Sequence, residues 1–372
     1  MIGPLDEYPI HQAPLPITRV TSSDRNFYDR CYFNAMDTSD DAGPDRKMLV
    51  TGLGYYPNLG VKDAYVLLRS GNTQTAVHLS DAIDQNRLDQ RVGKYALEVV
   101  EPLQKIRLVL EETEGMAMDL TWDGSYPVVQ EMPHLMLGSD VRPTLDAQRF
   151  AQLGSWSGTL VVDGVETTID PEHWMGSRDR SWGIRPVGEA EPAGRPQDPP
   201  MEGFWWLYVP MRFETFSIVI IIQEHADGFR VLNDVTRVWK DGRIEQLGWP
   251  KIEIDYAPGT RTPVHAVLTC TAQDGTPVVV EVEPRTHVVL HLGGGYGGDP
   301  QWLHGHWKGE NFAERVSYDL TDPALQGMIP FGVIDHCARA TCDGEVGHGL
   351  FEHGTFGRHD PSGFIDWSNE RR

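Results

Sequence analysis

Leu160-Val-Val-Asp-Gly-Val-Glu166 and Thr236-Arg-Val-Trp-Lys-Asp-Gly-Arg-Ile244 each set an Asp-Gly pair between short runs of β-branched and alternating residues. Asp and Gly accept the positive φ that a tight hairpin turn needs, and β-branched side chains suit a pleated strand, so both stretches read as strand–turn–strand. The same punctuation recurs at Asp123-Gly124, Asp227-Gly228, Asp274-Gly275 and Asp343-Gly344, and Val264 to Val282 reads the same way. Helical periodicity is scarce, although Val77 to Leu97, with its mixed charge, could hold a short helix. The expected fold is all-β, with antiparallel strands at regular spacing.

Working outward, the clearest break in composition is Pro186 to Pro200, which holds Pro186, Pro192, Pro196, Pro199 and Pro200. Proline supplies no ladder donor, so this stretch reads as a linker or a long surface loop. The expected organisation is an N-terminal β domain over 1–185, the proline-rich linker over 186–200 and a C-terminal β domain over 201–372. Each half of the 372 residues is long enough to close its own barrel or sandwich.

Charge narrows the partners. Lys and Arg total 32 against 54 Asp and Glu, a net charge of −22. Nucleic-acid and anionic-membrane binding both draw on surface cations, so neither is expected. The most apolar run, Phe216 to Ile222, is strand-sized, and no membrane span or secretory leader is visible, which favours a cytoplasmic protein. Cys31, Cys270, Cys337 and Cys342 show no CxxC spacing and read as reduced thiols, although Cys337 and Cys342 could pair across a hairpin.

The densest chemistry lies in His173-Trp-Met-Gly-Ser-Arg-Asp-Arg-Ser-Trp-Gly-Ile-Arg185. In an extended strand, Ser177, Asp179 and Ser181 share one face while Arg178, Arg180 and Trp182 share the other. An inward Asp179 in a tryptophan-lined barrel would be desolvated, keep its proton near neutral pH and serve as an acid. The alternative is an Asp–Arg pair that ties the two halves together. His304-Gly-His306 is an HxH whose imidazoles would share a face on a strand, fit for acid/base work or, with a third ligand, for a metal. Trp174, Trp182, Trp205, Trp206, Trp302 and Trp307 could line an apolar cavity or pack as ordinary core. Gly293-Gly-Gly-Tyr-Gly-Gly298 has no following Lys-Ser/Thr, and no GxSxG is present, so neither a nucleotide loop nor a nucleophilic triad is expected.

Gly176-Ser-Arg-Asp-Arg-Ser-Trp-Gly-Ile-Arg185 resembles the Gly-x-Arg-Asp-His-Ser-Trp-Gly-x-Arg signature of the carotenoid 1,2-hydratase-like (hydroxyneurosporene synthase-like, AttH-like) proteins, of the type abundant in actinobacteria. Supporting matches are Tyr32-Phe-Asn34, Gly54-Tyr-Tyr-Pro-Asn-Leu-Gly60 with Asp63-Ala64, Gly158 to Gly164, His304-Gly-x-Trp307-x-Gly309 and Gly347-His-Gly-Leu-Phe-Glu352. The resemblance implies two tandem lipocalin-like β-barrels with a lipophilic small molecule bound between or inside them. Where the pattern has His after Arg-Asp, this chain has Arg180, so an acid/base role there would pass to His173, His304 or Asp179.

The function expected is a cofactor-independent hydratase or lyase, isomerase or cyclase acting on an isoprenoid, steroid-like or polyketide substrate. Asp179 would donate the proton, Arg178 or Arg185 would tune it, and His304, His306 or His173 would take up a proton or activate water. Trp182, Trp205, Trp206, Trp174, Trp307, Tyr56 and Asn58 would bind substrate. No metal or cofactor is called for, and a homodimer stays open. The alternatives are a lipophile carrier using the same cavity and a metal-assisted hydrolase using the HxH pair.

Overall fold

The computed structural model describes residues 2–11, 17–138, 143–185 and 201–372. Antiparallel strands dominate, arranged in two barrel-like sheets, so the all-β reading holds. In the first sheet Phe27–Asp37, Met48–Tyr56, Val61–Ser70 and Thr73–Ala82 form a meander. On the far side of Phe27–Asp37 follow Trp174–Ile184, the long Pro143–Val162, Met116–Gly124, Lys105–Thr113 and Tyr95–Glu101. The second sheet runs, in spatial order, Arg230–Trp239, Phe216–Glu224, Gly203–Arg212, Glu345–Gly357, Ile334–Cys342, Pro277–Val289, Pro263–Thr271 and Gly248–Tyr256. Phe312–Asp319 leaves the second half to pair with Thr73–Ala82 on the edge of the first sheet. The proline-rich stretch 186–200 lies outside the described residues. No described helix is long and apolar enough to cross a membrane.

The turn chemistry behaves as its residues dictate, with one exception. Asp163-Gly164 and Asp343-Gly344 both take positive φ (50° and 78°, 50° and 81°), the paired left-handed geometry that matches strand twist in two-residue hairpins. Asp123-Gly124 is instead the end of a strand, with Gly124 opposite Gly154. The short helix expected within Val77 to Leu97 is absent. Thr73–Ala82, Gln90–Val92 and Tyr95–Glu101 occupy that span as strands, because their apolar residues alternate against the first core. All four cysteines are free and buried. Cys337 and Cys342 share one strand but face different cores, so a hairpin disulfide between them is ruled out.

Three large cores follow from strand alternation, beside a small cluster of Val289, Leu292 and Leu320. One fills the first sheet, around Trp122, Trp156 and Phe33. A second fills the other sheet, around Trp205, Ile220 and Phe351. The third lies between the sheets and joins Tyr32, Met36 and Leu153 to Trp206, Tyr208 and Leu350. Each large apolar side chain removed from water there contributes roughly 1.5–3 kcal/mol, which holds one sheet against the other.

Alternation also places the charges. Along Phe27–Asp37, Cys31, Phe33 and Ala35 enter the first core, which turns Tyr28, Arg30 and Tyr32 toward the second sheet. Along the neighbouring Trp174–Ile184, Trp174 enters the first core, so Arg178 and Arg180 share its face and Asp179 and Ser181 take the opposite one. Arg178 forks onto Glu7 (Nη1–Oε1 2.7 Å, Nη2–Oε2 2.9 Å) and donates from Nε to Gln152 (2.8 Å). Arg180 donates to Asp29 (2.9 Å), whose other oxygen meets His11 (2.7 Å). Burial alone would raise the Asp29 pKa, but Arg180 and His11 hold it below the usual carboxylate range. These pairs close the end of the first barrel with the N-terminal segment.

Glu7→Ala leaves a buried guanidinium unpaired, and we expect it to cost about 3–5 kcal/mol of unfolding free energy. Equilibrium denaturation in urea checks this; a change below about 1 kcal/mol, the scale of an exposed ion pair, contradicts it.

Candidate active site between the two sheets

A cavity of about 390 Å³ opens between the sheets, within the ~300–1,000 Å³ range of small-molecule sites. Its floor comes from two rungs of the first sheet. Arg30 pairs in register with Ser181, which pairs on its other side with Arg149; one rung along, Tyr32 pairs with Asp179. The second sheet supplies Phe204, Trp206, Gln223 and Glu352. Glu131, Met132, His134 and Met136 form one wall, and Tyr28, Tyr296 and Arg185 another. The glycine run Gly293–Gly298 serves here as a turn rather than a phosphate loop: Gly293, Gly295, Gly297 and Gly298 all take positive φ, and Tyr296 is carried to the cavity between them. A side chain on Gly295 would meet the His304 ring at 3.0 Å.

Asp179 is the central ionisable group. It forms no ion pair or hydrogen bond with any described residue, and its accessible surface opens into the cavity. Burial raises its pKa against the opposing pull of Arg149, Arg30, Arg185 and Arg178, which shifts the balance toward the neutral acid. Three further carboxyls surround it. Burial carries Glu131 up to about 7 even though Arg149 donates to it at 2.5 Å. Asp335 and Glu352 meet on adjacent strands; burial raises both, and the Glu352 charge raises Asp335 further, so the pair retains a proton. Tyr32 donates its hydroxyl to Asp335, and Trp206 donates Nε1 to Glu352. Burial and the Arg149 charge lower His134 to about 4, so it stands neutral beside them. The arrangement can deliver a proton to an apolar ligand and take one back.

Of the residues singled out from sequence, Asp179, Arg185 and Trp206 come together on the cavity wall. Arg178 and Trp182 sit on the opposite face, where Trp182 stacks on His11 at 3.5 Å between centroids. Asp179 therefore looks out of the first barrel toward the second, not into a barrel interior. His173 is exposed and meets Asp170 at 3.3 Å, far from this chemistry. Trp174 and Trp205 are core residues of the first and second sheets. Asn58 pins the chain near Ser22 and Asp24 through its Nδ2. Trp307 is about half exposed (46%) and is not among the residues lining this cavity.

The two imidazoles of the HxH do not share a face. They lie in the loop before Phe312–Asp319, where Gly305 takes φ +78° and breaks the strand parity. His306 is half-buried; His304 is buried in an annex behind Tyr296, with Tyr56, Asp63 and Tyr65. Tyr56 donates to Asp63 (3.3 Å), as does the Gly305 N–H (2.7 Å). Burial, together with Arg30 and Arg185, holds His304 well below the ordinary histidine range. Among the described residues, no three His, Cys, Asp or Glu side chains converge as a metal would require.

Sequence reasoning did not single out Arg30, Glu131, His134, Arg149, Asp335 or Tyr296. Tyr32 and Glu352 lay inside stretches matched to the family pattern, which was the available signal.

Two all-β barrels packed face to face, with a carboxyl-rich cavity between them, define a tandem lipocalin-like protein. The chain belongs to the family of unknown function DUF8625, whose model matches residues 2–365. No curated protein matches it in sequence. Among solved structures it is similar to NE1406 of Nitrosomonas europaea, provisionally named AttH (TM-score 0.55, 10% identity, covering 88% of this chain and 92% of that one). It is also similar to kievitone hydratase from Nectria haematococca (TM-score 0.50, 13% identity, 88% and 89%) and to CghA with Sch210972 (TM-score 0.50, 12% identity, 93% and 90%). At such identities these likenesses establish the fold, and the AttH-like resemblance holds at that level.

Asp63 supplies a pH test of the annex. Burial carries its folded pKa to about 7, against the Gly305 N–H, Arg30 and Tyr56. The ordinary value is 3.8, so its contribution to stability is complete below about pH 4 and is lost as pH rises through 7. In urea titrations the wild type should lose stability relative to Asp63→Asn between these limits. Parallel curves from pH 4 to 8 contradict the assignment.

Proposed function

We propose that the protein is a cofactor-independent acid/base enzyme, a hydratase or lyase, isomerase or cyclase, acting on a hydrophobic isoprenoid, steroid-like or polyketide substrate. One observation carries the reading: a carboxyl with a raised pKa, bonded to no described residue, in the wall of a closed-in cavity between two barrels. Two structural relatives lend it support by name, kievitone hydratase and CghA with Sch210972.

In a hydration, the Asp179 carboxylic acid gives its proton to one carbon of a double bond. The cation left on the other carbon takes the oxygen of water, and the second proton of that water returns to the Asp179 carboxylate, restoring the acid. In an isomerisation a neighbouring carbon loses the proton instead, and in a cyclisation an internal double bond captures the cation before proton loss. The indole face of Trp206 stabilises positive charge as it develops. Arg149 keeps Glu131 oriented beside Asp179, and Glu131 is the second group able to take up a proton.

The neutral form of Asp179 is the working one, so turnover should fall as pH rises through its raised pKa. Native mass spectrometry and extraction of the purified protein identify the ligand to assay. Incubation of that ligand in deuterated water should place deuterium on carbon with the wild type, and Asp179→Asn should reduce the rate about 10²–10⁴-fold with its melting temperature maintained. Equal rates in a folded variant remove Asp179 from the mechanism. Return of the ligand unchanged by the wild type favours the carrier reading.

A further inference from the structure

The cavity contains cations that form no ion pair with a described carboxylate, although Asp63 and Asp179 feel their charge. Arg178 is paired with Glu7, Arg180 with Asp29 and Arg149 with Glu131. Arg30 is 5% exposed, lines the cavity and makes no ion pair with any described residue. Its guanidinium lies over the rings of Tyr28 (5.6 Å) and Tyr296 (5.1 Å). Arg185 lies over the same two rings, at 5.9 and 5.7 Å, and likewise has no described carboxylate partner. Tyr56 lies within hydrogen-bond reach of Arg30, while the aromatic faces engage only the flat side of each guanidinium and leave the rest of its N–H edge to a planar anion. Two guanidiniums bracketed by one pair of tyrosines would repel each other without such a guest.

We propose that Arg30 and Arg185, held by Tyr28 and Tyr296, bind an anionic oxygen group of the substrate, a carboxylate or an acidic enol in its ionised form. The proposal rests on the cavity being the substrate site, and it narrows the substrate class to amphiphilic acids: an anionic head at this end and an apolar skeleton running past Asp179 toward Phe204 and Trp206. It also gives the clamp a part in the chemistry. An anion seated on Arg30 and Arg185 offsets the two charges that favour ionisation of Asp179, so the acid keeps its proton best when the substrate is in place. The protein's net charge of −22 does not oppose this, because the two cations act at short range inside a low-dielectric cavity.

The test uses 1-pyrenebutyrate and its methyl ester, which share one apolar body and differ in the anionic head, with binding followed by quenching of tryptophan fluorescence in the full chain. Wild type should hold the acid about tenfold or more tighter than the ester, the scale of a charge-assisted hydrogen-bonded contact. Arg30→Met should lose about that factor for the acid and hold the ester within about twofold. Arg185→Met is the second variant and should shift the same ratio should Arg30→Met fail to fold. Ester binding equal to acid binding in the wild type overturns the clamp and leaves the cavity reading standing, as does a folded Arg30→Met variant with an unchanged ratio. Binding of neither probe contradicts both.

Discussion

The period-two alternation of Trp174–Ile184 is the constraint on which the molecule turns. One face of this strand must cover the first core with Trp174 and send Arg178 and Arg180 to buried acids; the other must face the second sheet. A shift of one residue would bury Asp179 among apolar side chains and throw two guanidiniums into the cavity. The pairs to Glu7 and Asp29 fix that register and anchor the N-terminal segment at the same time. Structural and chemical roles thus divide between odd and even residues of one strand.

Electrostatics in the cavity follow from this division. Asp179, Glu131, Asp335 and Glu352 cannot all ionise in so small a volume, and the arginines do not neutralise them one for one. Arg149 is committed to Glu131, and Asp335 shares its site with Glu352 and Tyr32. Burial raises Asp179, which bonds to no described residue, while Arg30 and Arg185 form no ion pair with a described carboxylate. On the proposed reading the cavity offers a proton donor and a cationic end in one apolar chamber, a combination suited to an amphiphilic acid.

Much of the fold could be read from the sequence because its signals are local. Asp-Gly turns flanked by β-branched runs specify hairpins at Asp163-Gly164 and Asp343-Gly344 wherever the strands end up, and alternation alone separates Asp179 from Arg178 and Arg180. The same rule failed at His304 and His306, where the left-handed Gly305 resets the parity that a strand would have kept. The strands within Val77 to Leu97 draw on burial against a core that local composition does not reveal. The site was legible only in part for the same reason. Asp179, Arg185 and Trp206 stood out through a dense motif or aromatic content, whereas Glu131, Arg149 and Asp335 gain their chemistry from partners that strand pairing brings from far along the chain.

The protonation state of Asp179 is the most direct test. Difference infrared spectroscopy of the ligand-free wild type against Asp179→Asn, near neutral pH, should show the carbonyl stretch of a protonated carboxylic acid that the variant lacks and that fades as pH is raised. An Asp179 signal made up only of carboxylate bands, unchanged across that titration, would contradict its role as the proton donor.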